Sequence, residues 1–371
     1  MNDFPDSTVF SAADHAHMTR ALRLAENGRC TTTPNPRVGC VIAREGAIVG
    51  EGWHRRAGEP HAEILALAAA GEAARGATAY VTLEPCAHFG RTPPCADALM
   101  AAGLSRVVAA MEDPNPKVAG RGLEKLRMAG IEVDCGLLAE EARELNIGFI
   151  SRMTRHRPWL RLKIAATLDG KTALKNGVSQ WITGTEARAD GHRWRARACA
   201  ILTGIGTIKA DDPQLTVRDC PCERQPLRIL LDSRLEVSPS ARMLQGAPAL
   251  IVTAIARDDA RARPFVESGH HVLSLPAPDG RIDLPALMRE LAMRELNEIH
   301  VEAGATLNGA LLAADYVDEL LLYLAPMLVG DAARGMFHVP ALTALDAATR
   351  FEIREYMKVG EDLRIVARPV Q

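Results

Sequence analysis

His61-Ala62-Glu63, then Thr82-Leu83-Glu84-Pro85-Cys86, then Cys95 after the eight residues Ala87 to Pro94: the reading of this chain turns on that stretch. One imidazole and two thiolates are ligands of the kind a tetrahedral zinc takes, and a catalytic zinc leaves its fourth position to water. Glu63, two residues past His61, is a carboxylate that need not bind the metal and can therefore move protons. The alternative is a water-facing histidine with two cysteines buried as small apolar groups. The Pro, Gly and polar residues around Cys86 and Cys95 do not suit core packing.

Histidine, then glutamate two residues on, with a later Pro-Cys and a second thiol, is the pattern of zinc-dependent base deaminases. In these an activated water attacks the amino-bearing ring carbon. The common pattern has two residues between the thiols. Here there are eight, so a literal match fails at that point.

The flanking segments alternate helix and strand. Ser11 to Arg29 is expected as a helix capped by Ser11. The loop Thr31 to Pro36 holds Asn35 extended between two prolines. Val38–Ala43 and Ala47–Gly52 form a hairpin around Glu45-Gly46. His61 opens a helix to about Ala70, which puts His61 and Glu63 in its first turn. Ala77–Leu83 is a strand with Glu84-Pro85-Cys86 at its C-terminal end, where open α/β sheets place their chemistry. Cys95 opens the next helix, a position that lowers a thiol pKa. A strand over 106–111, a helix over 120–129, a strand over 131–135 and a helix over 139–149 complete a three-layer α/β domain.

The basic, polar run from Ser151 to Pro158 reads as a linker. Beyond it, strands are expected at 160–166, 200–204, 227–232, 249–253, 271–275, 298–302 and 319–324. Helices are expected at 185–198, 258–267 and 284–295 and from Thr306. Most of these strands read as apolar throughout, as in a sheet covered on both faces. In Ile299 to Gly309 a strand ends in a small-residue turn and a helix begins. Bare amides there suit phosphate oxygens, although a plain strand–turn–helix joint gives the same pattern. Thr306 and Asn308 suit capping of that helix.

With 371 residues the chain is long enough for two or three domains, and a hydrophobic content of 47% fills full cores. A net charge of −2, from 44 basic and 46 acidic residues, asks for neither nucleic acid nor a membrane surface. Aromatic residues at 4% supply a base-stacking surface poorly. No apolar run spans a bilayer, and Met1 to Ser11 lacks a secretory signal. Cytoplasmic thiols are then the default for the eight cysteines. Cys30, Cys40, Cys135 and Cys199 suit small apolar positions, and Cys220-Pro221-Cys222 suits a free pair in a polar loop.

Pro34-Asn35-Pro36-Arg37-Val38-Gly39, His61-Ala62-Glu63, the whole run Thr82 to Cys95 and Asp113-Pro114-Asn115-Pro116 resemble the bifunctional riboflavin-biosynthesis deaminase/reductase family, in which the thiols have this eight-residue spacing. In the second half, Thr167-Leu168-Asp169-Gly170-Lys171, Ser179-Gln180-Trp181, Asp211-Asp212-Pro213, Thr216-Val217-Arg218 and Glu302-Ala303-Gly304 resemble its reductase domain. The resemblance implies a cytidine-deaminase-like domain over residues 1–150, a linker over 151–158 and a dihydrofolate-reductase-like domain over 159–371. It implies one Zn2+ per chain on His61, Cys86 and Cys95, with Glu63 as the catalytic carboxylate. It also implies NADPH held by Ala165, Trp181, Thr207, Asp211, Ser233 and the turn Gly304, Ala305, Thr306, Leu307, Asn308, Gly309 and Ala310. The substrate, a pyrimidine ribose-phosphate, would meet Asn35, His88, Lys163, Ser179, Arg195, Leu215, Arg218 and Glu302. Arg91 and Lys117 would either join His88 at the ribose or phosphate or face water.

Arginine forks suit the phosphate of such a substrate, so Arg195 and Arg218 are expected to grip it, unless they are solvated surface charges. His88 could equally face water. Paired reductase domains in a homo-oligomer are a family expectation. Two rival readings are a nucleoside or tRNA base deaminase with a non-catalytic partner domain, and a zinc-structured nucleotide-sensing module without turnover. The thiol spacing and weak basic and aromatic content argue against the first. Against the second, a closed zinc site needs a fourth protein ligand, for which His88 is the near candidate, and Glu63 would be left without a task.

Overall fold

The computed structural model describes residues 10–87, 94–116 and 118–370, and the chain divides between Arg155 and His156 into two compact units. The first contains α1 (Ala12–Glu26), β1 (Gly39–Arg44), β2 (Ala47–Trp53), α2 (Ala62–Ala70), β3 (Thr78–Val81), α3 (Cys95–Ala101), β4 (Arg106–Ala109), α4 (Arg121–Met128), β5 (Glu132–Cys135), α5 (Ala139–Leu145) and α6 (Ile147–Arg155). Among the described residues they build one sheet in the order β2-β1-β3-β4-β5. The hairpin β1–β2 runs antiparallel, and β3, β4 and β5 are parallel.

Ser11 caps α1 through a reciprocal box. Its Oγ accepts from Asp14 N–H at 3.1 Å, and Asp14 Oδ2 accepts from Ser11 N–H at 2.9 Å. The other Asp14 oxygen takes the Tyr80 hydroxyl at 2.7 Å and Arg106 at 2.8 Å, which ties α1 to β3 and β4. α2 lies directly on β2 because Gly50 and Gly52 face it. A Cβ on Gly52 would stand 2.4 Å from Ala62 O, and one on Gly50 2.3 Å from Ala66 O. The core beneath is aliphatic: Val41, Ile42, Val81, Leu99, Val107, Val108 and Leu126 are all buried.

Two expectations need correcting here. The helix expected over 139–149 breaks at Asn146, and its second part runs on to Arg155, through most of the segment expected to be a linker. The Asn146 side chain pairs with the backbone of Arg37, accepting from its N–H at 2.8 Å and donating to its carbonyl at 2.9 Å. Arg37 in turn donates to Leu145 O at 2.6 Å. Helix α6 continues past Ser151 because that serine is buried and Arg152 reaches Pro34 O at 3.1 Å.

The second unit contains β6 (Trp159–Thr167), β7 (Lys171–Ala173), α7 (Thr185–Arg197), β8 (Ala200–Gly204), α8 (Ile205–Asp211), β9 (Leu227–Leu231), β10 (Leu250–Thr253), α9 (Arg263–Glu267), β11 (His271–Ser274), α10 (Leu284–Met293), β12 (Glu298–Val301), α11 (Ala305–Ala313), β13 (Glu319–Ala325), β14 (Arg334–Gly335), β15 (Phe351–Val359) and β16 (Asp362–Pro369). Its main sheet runs β11-β10-β9-β8-β12-β6-β13-β16-β15, and β14 pairs with β7 apart from it. From β11 to β13 the strands are parallel, and β16 and β15 add an antiparallel edge.

The strands here are not apolar throughout, as had been expected. One face of β6 and β12 carries Arg161, Lys163, Glu298 and His300. Arg161 is 1% exposed, donates to Glu298 at 3.1 Å and to Glu319 on β13 at 2.5 Å, and lies 4.5 Å from the ring centroid of Trp194 on α7. The charges are legal there because each finds a counter-charge or an aromatic face. The opposite face packs Leu160, Leu162, Ile164, Leu202 and Val301 into an ordinary core.

Candidate active sites

In the first unit, His61 stands at the N-cap of α2, and its ring makes no capping hydrogen bond to the helix. His61 Nδ1 lies 3.2 Å from Cys95 Sγ and 3.7 Å from Cys86 Sγ, and the three atoms lie within 4.8 Å of one another. A tetrahedral zinc with ordinary bond lengths would separate N and S ligands by about 3.6 Å, so the residues fit the ion. Cys95 N–H points at Cys86 Sγ at 3.3 Å.

The two thiols divide their proton unequally. The Cys86 thiol is pushed down, first by the Cys95 thiol hydrogen-bonding to it and then by His61. That same bond pushes Cys95 up. A divalent cation would displace the remaining proton. Glu63 is 3% exposed, and burial raises its carboxyl above the usual range. A carboxyl raised above its usual range by burial suits proton transfer in both directions.

Asn35 is brought to this site through His54, a residue the sequence pattern does not single out. Asn35 Nδ2 lies 3.0 Å from His54 Nε2, and His54 Nδ1 lies 3.2 Å from Pro60 O. An amide nitrogen donates and a carbonyl accepts, so this imidazole is neutral with its proton on Nδ1. Burial pushes its pKa down in the same sense. The His54 ring packs edge-on against His61 at 5.3 Å. Glu84 is a second such residue. Its carboxylate accepts from Asp113 N–H at 3.0 Å, Gly120 N–H at 2.9 Å and Gly122 N–H at 2.7 Å, fastening the following loops to the strand end that carries Cys86. His88, Arg91 and Lys117 lie outside the described residues.

In the second unit, the C-terminal ends of the adjacent parallel strands β9, β8, β12 and β6 come to one edge of the sheet. They carry Ser233, Thr207, Glu302 with Gly304, and Ala165 respectively. Such an edge is where an open α/β sheet binds its ligand. Gly304 is the N-cap of α11. Asn308 and Gly309 turn elsewhere: Asn308 Nδ2 donates to Met336 O at 3.0 Å, and a Cβ on Gly309 would lie 2.0 Å from His338 O. Neither Thr306 nor Asn308 caps the helix. The open amides of the turn are therefore those of its first residues, Ala305 to Leu307. Ser179 Oγ lies 3.3 Å from Asp211 Oδ1, and Trp181 is 67% exposed beneath the Arg188 guanidinium at 4.5 Å.

Arg195 and Arg218 differ in what they have to offer. Arg195 holds Glu302 through both oxygens, at 2.5 and 2.8 Å, and donates to Thr216 O at 3.0 Å. Its fork is closed on a carboxylate rather than open to a phosphate. Arg218 is exposed, donates to Thr216 Oγ1 at 3.0 Å, and its backbone N–H donates to His192 Nδ1 at 3.2 Å. Leu215 beside them is buried with φ of 54°. Arg195 holds the Glu302 carboxyl well below the usual range against the cost of burial. Burial pushes the Lys163 ammonium down; Glu302 opposes that shift and Arg195 adds to it.

Residues 11–111 match the cytidine and deoxycytidylate deaminase zinc-binding region, and residues 158–365 match the RibD C-terminal domain. The chain is 51% identical over 362 residues to the riboflavin biosynthesis protein RibD of Escherichia coli K12, covering 94% of this chain and 98% of that one. It is 44% identical over 354 residues to the RibD of Aquifex aeolicus, covering 95% and 97%. Among solved structures, RibD of Acinetobacter baumannii superposes with a TM-score of 0.89 at 41% identity, over 97% of this chain and 99% of that one. A diaminohydroxyphosphoribosylaminopyrimidine deaminase/5-amino-6-(5-phosphoribosylamino)uracil reductase of Thermotoga maritima gives 0.87 at 33% identity, over 96% and 99%.

Proposed function

The chain belongs to the RibD family of bifunctional riboflavin-biosynthesis proteins, and from that premise we propose how its residues divide the two reactions. It deaminates 2,5-diamino-6-(5-phosphoribosylamino)pyrimidin-4-one hydrolytically, then reduces the ribosyl side chain to ribityl with NADPH. The first reaction is assigned to residues 1–150 and the second to 159–371.

His61, Cys86 and Cys95 hold the zinc, which when bound supplies a Lewis acid that activates water. Glu63 would take one proton from the attacking water and give it to the ring nitrogen, then take the second from the hydroxyl left on the ring carbon and give it to the departing ammonia. Asn35, fixed by neutral His54, orients the pyrimidine. His88 is placed with it, on the resemblance alone. In the second unit NADPH supplies the hydride. Ala165, Trp181, Thr207, Asp211, Ser233 and the turn from Gly304 hold the cofactor, with Asn308, Gly309 and Ala310 as the packed base of that turn. Lys163, Ser179, Leu215 and Glu302 meet the substrate, Arg218 its phosphate, and Arg195 joins them by exchanging partners. Positioning in a dry pocket carries this step more than a strong acid does.

The substrate is a small molecule, and no helix among the described residues is long and apolar enough to cross a membrane. We further read the chain as cytoplasmic, on its free thiols, and as needing no nucleic-acid partner, on its balanced charge. A homo-oligomer formed through the second unit would cover edge strand β15, where Ile353 and Tyr356 are 58% and 74% exposed.

The observation that carries the assignment is the convergence of His61, Cys86 and Cys95 beside a buried Glu63. The test supplies the diaminopyrimidinone ribosylamine phosphate to zinc-loaded protein and follows ammonia release and NADPH absorbance together. Ammonia first, with stoichiometric NADPH loss after it, is expected. Neither signal, with zinc bound, would overturn both assignments.

A further inference from the structure

Behind the Glu302–Arg195 pair lies a group that neither reaction uses. His300 on β12 is 0% exposed, and neither of its ring nitrogens has a hydrogen-bond partner among the described residues. Nε2 stands 3.3 Å from Glu302 Oε1 without a hydrogen bond of good geometry. Buried polar atoms are almost always paired, so two orphans on one ring need a reason.

The charged groups acting on the ring are Arg161 from β6, Arg195 from α7 and Glu302 from the end of its own strand. In the register of the sheet His300 lies opposite Arg161 on β6 and Ile201 on β8. Burial holds the imidazole below its usual pKa, Glu302 opposes this, and Arg195 and Arg161 add to it. The ring is therefore a neutral donor in a cationic setting.

Glu302 and Arg195 are spent on each other in this structure, through both carboxylate oxygens. The reading above also gives Arg195 to the substrate. When its fork turns outward, Glu302 stays charged and enclosed with Lys163 as its remaining counter-charge, and the Oε1 that Arg195 Nε leaves needs a donor. We propose that His300 is a positioning residue of the reductase, whose Nε2–H takes over Glu302 Oε1 when Arg195 turns to the substrate. No bond is made or broken in this exchange. The inference rests on Arg195 and Glu302 being substrate groups.

The test uses the full-length, zinc-loaded chain and 5-amino-6-(5-phosphoribosylamino)uracil, following NADPH oxidation, with NADPH affinity measured separately by fluorescence. His300→Phe keeps the ring volume and removes the donor. It should raise KM for the uracil about tenfold, the effect of one hydrogen bond to a charged group, with a smaller change in kcat and unchanged NADPH affinity. His300→Gln, whose amide can donate to the carboxylate, should recover most of that loss. Equal KM in His300→Phe and wild type overturns the proposal. So does a matched loss in both variants that includes NADPH affinity, since that marks a packing role. If His300→Phe does not fold, His300→Gln decides alone: KM more than tenfold above wild type, or NADPH affinity lost, overturns the proposal. Arg195→Met and Glu302→Gln separate the two levels. Wild-type activity with unchanged KM in both would remove the substrate reading itself, whereas raised KM in both with a silent His300→Phe removes only this inference.

Discussion

Glu63 carries two consequences of one placement. Its carboxyl lies in the first turn of α2, beside the ligands yet outside the ligand set, and burial raises its pKa. Glu63→Gln should retain zinc and lower ammonia release by about 10²–10⁴-fold, the span of a lost general acid–base group. Metal analysis beside the ammonia assay checks it. Zinc loss in the variant would show instead that Glu63 is a ligand. A second residue-scale effect concerns His192, His270 and His300, whose pKa values are lowered by burial from the usual 6.5. The unfolded chain binds protons near that pH that the native imidazoles refuse. Stability of the second unit is therefore full above pH 6.5 and falls as pH drops through the interval below it. Urea unfolding of that unit at a series of pH values between neutrality and 5 should show a midpoint that declines with acid; a flat profile there contradicts the burial argument. The candidate ligands His61, Cys86 and Cys95 were legible because their spacing is chemical. His54 and His300 were not, because nothing in a sequence says which way a ring on a strand points or what stands across from it.

Two elements hold the first site, and a glycine decides how close they come. Helix α2, capped by His61, rests on β2 because Gly50 and Gly52 have no side chains. Gly52→Ala would place a Cβ 2.4 Å from Ala62 O and 2.6 Å from Ala66 N. We expect a loss of about 1–3 kcal/mol from overpacking, together with weaker zinc retention against a chelator, although no ligand has been touched. Unchanged zinc affinity would mean that α2 can shift without moving His61. The hairpin, the capped first helix and the strand–helix alternation could be read from turn residues and periodicity. The break at Asn146 could not, since a polar residue inside a helical pattern reveals nothing of the backbone it will pair with 109 residues earlier. Strands β15 and β16 were also missed. The outer one is exposed along most of its length, so it lacks the alternation of buried and exposed positions that marks a half-buried strand.

At the scale of the molecule, the two units carry separate cores and separate chemistry. Zinc bound by the native first unit stabilises that unit alone, by mass action. Removing it with a chelator should abolish ammonia release and lower the unfolding temperature of one transition. NADPH oxidation on the already deaminated uracil should persist. Scanning calorimetry with and without chelator, beside the two assays, checks this; loss of both activities together would show that the units depend on one another. The sequence alone determined the α/β class of both halves, the family and the three residues that could hold a zinc, because those rest on residue type and local spacing. Only the tertiary structure decided that Arg195 closes on Glu302, that charges line one face of β6 and β12, and that Asn308 and Gly309 turn inward to Met336 and His338. Each of those depends on which side chains from distant segments meet in a space too dry to leave a charge or a polar atom unmatched.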